Sequence, residues 1–326
     1  VVELLKEMSV EILRKCPNKC VHCSSNSSLT CSEIIPYELF CSIIRDAVEL
    51  GLKTVCFSGG EPILHPDFIK MIDYVNSLKL QSYIYTSGIY VDESNNPNSI
   101  PLNILDSIKD KATKLILNIE AANESTYDFV MGTKGNFKYM KKSIKDANKI
   151  GILTEAHFVP MRLNIREIDE TVRLCNELGV SKISFLRLVL HGRALSNQSL
   201  ISLSEEETQQ LKLKLQELSK SSTLKIRIGV PLSGENNKHY CEAAKGKLNI
   251  RYDGNVYPCE VFKNNKVRFI DGFAPDNIFD AGIKEIYEHS KYLCKVRDYI
   301  NNFAGVKTCE NCIGQYYIKS VDEEVR

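Results

Sequence analysis

Three cysteines set close together can hold an iron–sulfur cluster, and this chain carries such a set near its start: Cys16-Pro17-Asn18-Lys19-Cys20-Val21-His22-Cys23, a C-x3-C-x2-C spacing. Thiolates this near one another can occupy three corners of a cubane. A closed cluster or a structural zinc wants a fourth ligand at hand, and the next cysteine, Cys31, stands eight residues on in a Ser/Asn/Thr-rich loop. The spacing therefore reads as a three-coordinate site with one iron open to a ligand. Part of a zinc knuckle, or plain reduced thiols, are the other readings of these residues. A second signal is Ser58-Gly59-Gly60-Glu61-Pro62, which ends a short apolar run. Glycines there let backbone approach a ligand closely, and a carboxylate can take an ammonium through a charge-assisted hydrogen bond; a lone Gly-Gly would be only a turn. The third signal is Cys241, Cys259, Cys309 and Cys312. Four thiolates suit a structural zinc or a fully ligated cluster equally by ligand type.

The elements that must position these groups alternate. Residues 7–13 read as a strand feeding the cysteine loop, and a helix over about 36–50 stops at Gly51. A buried strand over 54–57 follows. Helices are then expected over about 66–78, 102–109, 136–150 and 165–178, and strands over 81–85, 114–120, 153–160 and 182–189. Six strands alternating with helices make a parallel α/β architecture, in which ligands sit at the carboxyl ends of strands. Residues 191–202 read as a connection, and Ser204 with Glu207 as a capping box opening a helix to about 218. A strand over 224–230 and a Pro/Ser/Gly/Asn-rich loop place a boundary near 222–238, dividing the chain into 1–222 and 223–326. Beyond it, residues 247–251 and 256–257 flank Asp253-Gly254 as a hairpin that would set Cys241 beside Cys259. A helix over about 283–298 returns the chain to Cys309 and Cys312.

The open-cornered cysteine motif and the complete Gly59-Gly60-Glu61-Pro62 resemble the radical S-adenosylmethionine (radical SAM) superfamily. The resemblance implies a partial (β/α)6 TIM-like barrel and a [4Fe–4S] cluster on Cys16, Cys20 and Cys23, with SAM chelated to the fourth iron. It implies that Glu61 holds the SAM ammonium. Thr86-Ser87-Gly88 stands where many relatives have Thr-Asn-Gly. Asn118-Ile119-Glu120 replaces a common Ser-x-Asp near the SAM ribose. Thr86, Ser87, Asn118 and Glu120 are thus candidates for the sugar hydroxyls, and Arg187 for the SAM carboxylate or a structural role. The cysteine quartet resembles the SPASM/twitch auxiliary domain. No cysteine follows Cys312, so the match is to the shorter twitch form: a small hairpin-plus-helix domain with a second [4Fe–4S] cluster on Cys241, Cys259, Cys309 and Cys312. In this chemistry a reduced cluster cleaves SAM to a 5′-deoxyadenosyl radical, which takes hydrogen from an unactivated C–H bond; a flavodoxin or ferredoxin is the expected reductant.

The composition fits. Net charge is +1, with no basic run interleaved with aromatics, so nucleic acid is not an expected partner. No apolar run reaches the ~18 residues of a membrane span, no signal peptide is visible, and the sequence starts at Val1 as a trimmed one does. Twelve cysteines in a chain of 326 residues point to metal ligation in a reducing, cytoplasmic setting rather than to a disulfide scaffold. Cys31, Cys41, Cys56, Cys175 and Cys294 fall outside the two groups and read mostly as small buried hydrophobes. Cys56, on a barrel strand, is a candidate hydrogen donor to a substrate radical. His22 reads as packing beside the cluster, and His157 as a core, rim or substrate contact. The leading substrate is a ribosomally made precursor peptide, modified by cross-linking, thioether formation or epimerisation. Because the cluster loop begins by residue 16, a leader-recognition domain ahead of it is not expected. The alternatives are oxidation or epimerisation of a small polar metabolite such as an aminocyclitol or sugar, and a non-catalytic metal-binding module.

Overall fold

Alternation builds the first strand of the computed structural model. In β1 (Glu7–Leu13), Met8, Val10 and Ile12 are fully buried on the side that meets the helices, and Glu7, Ser9 and Glu11 project to the other side. The structure describes residues 4–230, 232–233, 241–263 and 272–302. After β1 come α1 (Tyr37–Glu49), β2 (Thr54–Gly59), α2 (Phe68–Ser77) and β3 (Gln81–Thr86). A two-stranded hairpin, β4 (Ile89–Val91) and β5 (Pro97–Ser99), precedes α3 (Leu102–Ile108) and β6 (Lys114–Asn118). Then follow α4 (Glu124–Met131), α5 (Phe137–Lys149), β7 (Thr154–Phe158), α6 (Ile168–Glu177) and β8 (Lys182–Phe185). Two single turns, α7 (Arg193–Ser196) and α8 (Gln198–Ile201), lead to α9 (Glu205–Ser221) and β9 (Lys225–Ile228). The C-terminal part adds β10 (Lys247–Ile250), β11 (Val256–Tyr257), α10 (Ile283–His289) and α11 (Lys291–Asn302).

The strands form one sheet in the order β11-β10-β1-β2-β3-β6-β7-β8-β9. Every pairing is parallel except β10 with β11. β9 and β11 lie at opposite ends of that order, so among the described residues the barrel stays open. Each helix packs a stripe at three- and four-residue spacing onto the sheet, such as Phe40, Ile43, Ile44 and Ala47 of α1. Burying one such side chain contributes about 1.5–3 kcal/mol. The six strands read from the sequence are β1, β2, β3, β6, β7 and β8. The sheet does not stop at residue 222: β9 adds a seventh parallel strand, and β10 extends the other edge by pairing with β1. β8 ends at Phe185 instead of running to 189, and the hairpin and α4 are additions to the expected elements.

Register aligns the inward side chains in rows. Lys247 pairs with Glu7; Asn249 aligns with Ser9, Cys56, Tyr83 and Lys114; and Asn118 aligns with His157, Ser184 and Arg227 nearer the carboxyl ends. This lumen is polar. Glu155 is held by Lys114 at 3.1 Å and Lys182 at 2.9 Å, Lys247 meets Glu7 at 2.8 Å, and the Tyr85 and His157 rings lie 5.4 Å apart.

Candidate functional site

β1 delivers the chain directly into the loop of Cys16, Cys20 and Cys23. The strand after it explains the glycines. Gly60 N–H donates to the Leu13 carbonyl and Glu61 N–H to the Lys15 carbonyl, both at 2.8 Å. A methyl group at Gly59 or Gly60 would overlap the carbonyl oxygens of Leu13 or Lys15. The two glycines thus serve the close passage of β2 against the backbone entering Cys16, and this passage sets the glycine loop beside the cysteine loop.

The Glu61 carboxylate is fully buried and turned toward the end of β3. Its Oε1 accepts from Thr86 Oγ1 at 2.6 Å, and its Oε2 accepts from Ser87 N–H at 2.8 Å and Ser87 Oγ at 2.6 Å. Burial pushes the carboxyl up to about 7 against these hydrogen bonds. Thr86 and Ser87 thus stand beside Glu61, each hydroxyl donating to it and keeping an acceptor lone pair. Pro62 opens a short 3-10 turn just beyond.

Glu120 is a second buried carboxylate beside the cysteine loop. It is fully buried two residues past β6, where Oε2 accepts from Val159 N–H at 2.9 Å and Oε1 lies 3.4 Å from His22 Nε2. Oε1 has no hydrogen-bond partner among the described residues and joins the polar atoms there that a ligand could meet. Asn118 is partly exposed at the end of β6, in register with His157. Burial, then the charges of Arg227, Lys182 and Lys114, pull the His157 imidazole down to about 3. Arg187 is partly buried just beyond β8, near enough to His191 for its charge to be felt there. Cys56 is 2% exposed. Its thiol is hydrogen-bonded with Tyr85, and burial raises it well above the usual range. It lies one row from Tyr85, nearer the amino ends of the strands.

The loop suits a cubane. Cys16 is buried and Cys20 and Cys23 are half-buried, all as free thiols. Burial, then the neighbouring thiols Cys20 for Cys16 and Cys23 for Cys20, raise both thiols, while Arg193 works the other way on Cys20. Such a cost to thiolates is removed by iron. Asn18, His22 and Ser27 in the loop, and Tyr127 facing it, carry buried polar atoms with no protein partner, which is the lining a polar ligand needs. The loop's amides are taken by α4: Lys19 N–H donates to Met131 O at 3.0 Å and Val21 N–H to Val130 O at 2.9 Å. This helix is not among those expected from the sequence, although Asn123 as its cap and Gly132 as its stop are the residues that signal one. The carbonyl side is taken by Arg193 and Asn197, which no sequence motif marks.

At the C-terminal group, Ala244 N–H donates to Pro258 O at 2.9 Å, drawing the segment after Cys241 beside Cys259. Arg297 of α11 donates to Ala244 O at 2.7 Å, and Lys245 meets Asn301 at 2.6 Å. The helix thus delivers the chain to this pair of cysteines. Cys309 and Cys312 lie outside the described residues.

Comparison with known proteins agrees with this geometry. The family model of the Radical SAM superfamily matches residues 10–175, and that of the SPASM iron-sulfur cluster-binding domain matches residues 241–313. A PqqA peptide cyclase of Gluconobacter oxydans (strain 621H) is 24% identical over 283 residues, covering 86% of this chain and 75% of its own. Streptococcus suis SuiB bound to S-adenosylmethionine superposes with a TM-score of 0.75 at 17% identity, over 97% of this chain and 75% of SuiB. SuiB bound to its precursor peptide SuiA gives 0.72 at 18% identity, over 91% and 67%.

Proposed function

The chain belongs to the radical SAM superfamily, and on that premise we propose that it matures a ribosomally made precursor peptide by forming a cross-link or thioether, or by epimerising a residue. The observation that carries this reading is the peptide cyclase whose sequence it shares over most of both chains. Among the described residues the edge between β9 and β11 is open, a side by which an extended peptide could enter.

When bound, the cluster and SAM supply one-electron cleavage of SAM and removal of a hydrogen atom from carbon. This chain's residues do the rest. Cys16, Cys20 and Cys23 would hold the first cluster and leave one iron for SAM. Gly59, Gly60, Glu61 and Pro62 would hold SAM's methionine end, with Glu61 as the negative partner of its ammonium and Arg187 as the partner of its carboxylate. Asn118, Thr86, Ser87 and Glu120 would be the candidates for its sugar hydroxyls. Cys241, Cys259, Cys309 and Cys312 would hold the auxiliary cluster. With four protein ligands, its role would be electronic or structural, and a cluster there could supply an acceptor for the electron lost when the product is oxidised. The polar lumen orients the peptide and the sheet excludes bulk water. A flavodoxin- or ferredoxin-type protein is the proposed electron donor. The ten described cysteines are all free thiols, which suits a reducing compartment, and we place the protein in the cytoplasm. Among the described residues, no helix is long and apolar enough to cross a membrane.

The test is to synthesise the short peptides encoded beside its gene and incubate each with reconstituted, reduced enzyme and SAM. A modified peptide formed with 5′-deoxyadenosine is expected. SAM cleavage stimulated by a small polar metabolite, with every such peptide left intact, would overturn the reading.

A further inference from the structure

Residues 191–197 hold the cysteine loop by its carbonyl groups. Arg193 Nε donates to Cys20 O at 2.8 Å and its Nη2 to Ser27 O at 2.9 Å. Arg193 N–H donates to Cys23 O at 2.9 Å, and Asn197 Nδ2 to Val21 O at 2.9 Å. Gly192 makes the approach possible: its φ is +52°, and a Cβ there would sit 2.7 Å from the carbonyl oxygens of both Cys23 and Ser24. One turn of chain therefore fixes carbonyls across the whole span from Cys20 to Ser27.

The same turn is tied at its back to the C-terminal cysteine group. His191 is fully buried and its Nε2 donates to Val261 O at 2.6 Å, two residues beyond Cys259. Lys263, which follows the 3-10 turn Glu260–Phe262, makes a second tie. It pairs with buried Glu11 of β1, and Ser25 of the cysteine loop donates to the same carboxylate oxygen at 2.9 Å. The two cysteine groups, more than two hundred residues apart in sequence, are thus joined by two short side-chain bridges.

We propose that His191–Asn197 is a strut through which the turn after Cys259 sets the shape of the first cluster's loop, with Arg193 as its positioning residue. This rests on the assignment of a cluster to Cys16, Cys20 and Cys23, not on the choice of substrate. Two properties of Arg193 are separable. Its fork reaches two carbonyls from two separate nitrogens, a planar geometry that a single ammonium nitrogen does not reproduce. Its charge lies against Cys20, where a cation favours the reduced state of a cluster.

The experiment compares Arg193→Gln, Arg193→Lys, His191→Leu and His191→Gln. Midpoint potentials are measured on the reconstituted holoenzyme, taking the cluster whose electron paramagnetic resonance signal shifts on adding SAM. Hydrogen exchange of amides 18–28 is measured on holo and metal-free protein. Arg193→Gln should move the potential negative and speed exchange. Arg193→Lys should hold the potential near wild type while exchange rises roughly tenfold, as the loss of one charged hydrogen bond predicts. His191→Leu, which removes the side-chain hydrogen bond to Val261 and none to the loop, should speed exchange there as well, and His191→Gln, whose amide can donate in place of Nε2, should restore it. An unchanged potential in Arg193→Gln with unchanged exchange in Arg193→Lys overturns the role of Arg193. Wild-type exchange in His191→Leu overturns the strut. The metal-free measurement stands even if the cluster assignment fails, and iron content of the wild-type protein tests that assignment separately.

Discussion

Ser87 closes on Glu61 twice, donating its amide at 2.8 Å and its hydroxyl at 2.6 Å to one carboxylate oxygen. The glutamate of the glycine loop is therefore fixed by the neighbouring strand before any ligand arrives. Burial raises its carboxyl to about 7, and an ammonium placed against it would favour the ionised form. One residue thus ties β2 to β3 and, in the proposed placement of SAM, would be the partner of its ammonium.

Substitution separates those two roles. Glu61→Gln keeps the shape and removes the charge. It should weaken SAM binding to the reconstituted protein by about 1.5–3 kcal/mol, the range for one charge-assisted hydrogen bond. Glu61→Ala should do the same and also lower the melting temperature of the metal-free protein, because Thr86 and both donors of Ser87 lose their acceptor. Equal SAM affinity in wild type and Glu61→Gln would put the ammonium elsewhere.

The site was legible where chemistry forces a short local pattern. The spacing from Cys16 to Cys23 and the pair Gly59-Gly60 carry their purpose in consecutive residues, although the glycines accommodate Leu13 and Lys15 rather than the ligand alone. The alternating strands and helices were legible for the same reason. What was not legible depends on contacts between distant segments. Glu120 meets His22 across 98 residues, and Arg193 meets Cys20 across 173. No window of sequence contains either pair, so His191-Gly192-Arg193 read as a mere connection. The pairing of β10 with β1 is hidden likewise, since a parallel partner can lie anywhere in the chain.

The two cysteine groups should lose metal independently. Replacing Cys16, Cys20 and Cys23 together by Ala should abolish formation of 5′-deoxyadenosine and remove about four of about eight irons per chain. Cys259→Ala or Cys312→Ala should remove the other four and reduce formation of an oxidised product far more than SAM cleavage. Iron analysis of the wild type showing about four irons and one zinc would end the redox role of the C-terminal group.

His191 gives the fold an acid limit. Burial, helped by the charges of Lys263 and Arg187, pulls its pKa from 6.5 down to about 4, so it is neutral in the fold as Nε2–H donates to Val261 O. The folded value lies below the unfolded one, so this stability is whole above pH 6.5 and is lost as pH falls through about 4. The full loss is about 3 kcal/mol. The melting temperature of metal-free protein should therefore drop more steeply between pH 7 and 4.5 for wild type than for His191→Gln. Parallel curves for the two would show that His191 does not titrate with unfolding.

Cys56 is the remaining thiol on a barrel strand, and its surroundings decide what it can do. It lies between Ser9 on β1 and Tyr83 on β3, in the row beneath Tyr85. One row of a strand is two residues, about 6.6 Å. Burial keeps the thiol protonated, so it has a hydrogen atom to give, but Tyr85 is bonded to it and stands nearer the carboxyl ends where the cysteine loop lies. A substrate radical formed at the mouth would meet the phenol before the thiol. Cys56→Ala should therefore leave both 5′-deoxyadenosine formation and the yield of modified peptide within a few-fold of wild type. The alternative has a distinct signature. If Cys56 itself returned hydrogen to an epimerised carbon, the variant would still consume SAM while product per 5′-deoxyadenosine collapsed, and solvent deuterium, which enters product through an exchangeable thiol, would no longer be incorporated. Measuring product ratio and deuterium content of wild type and Cys56→Ala in D2O decides between them.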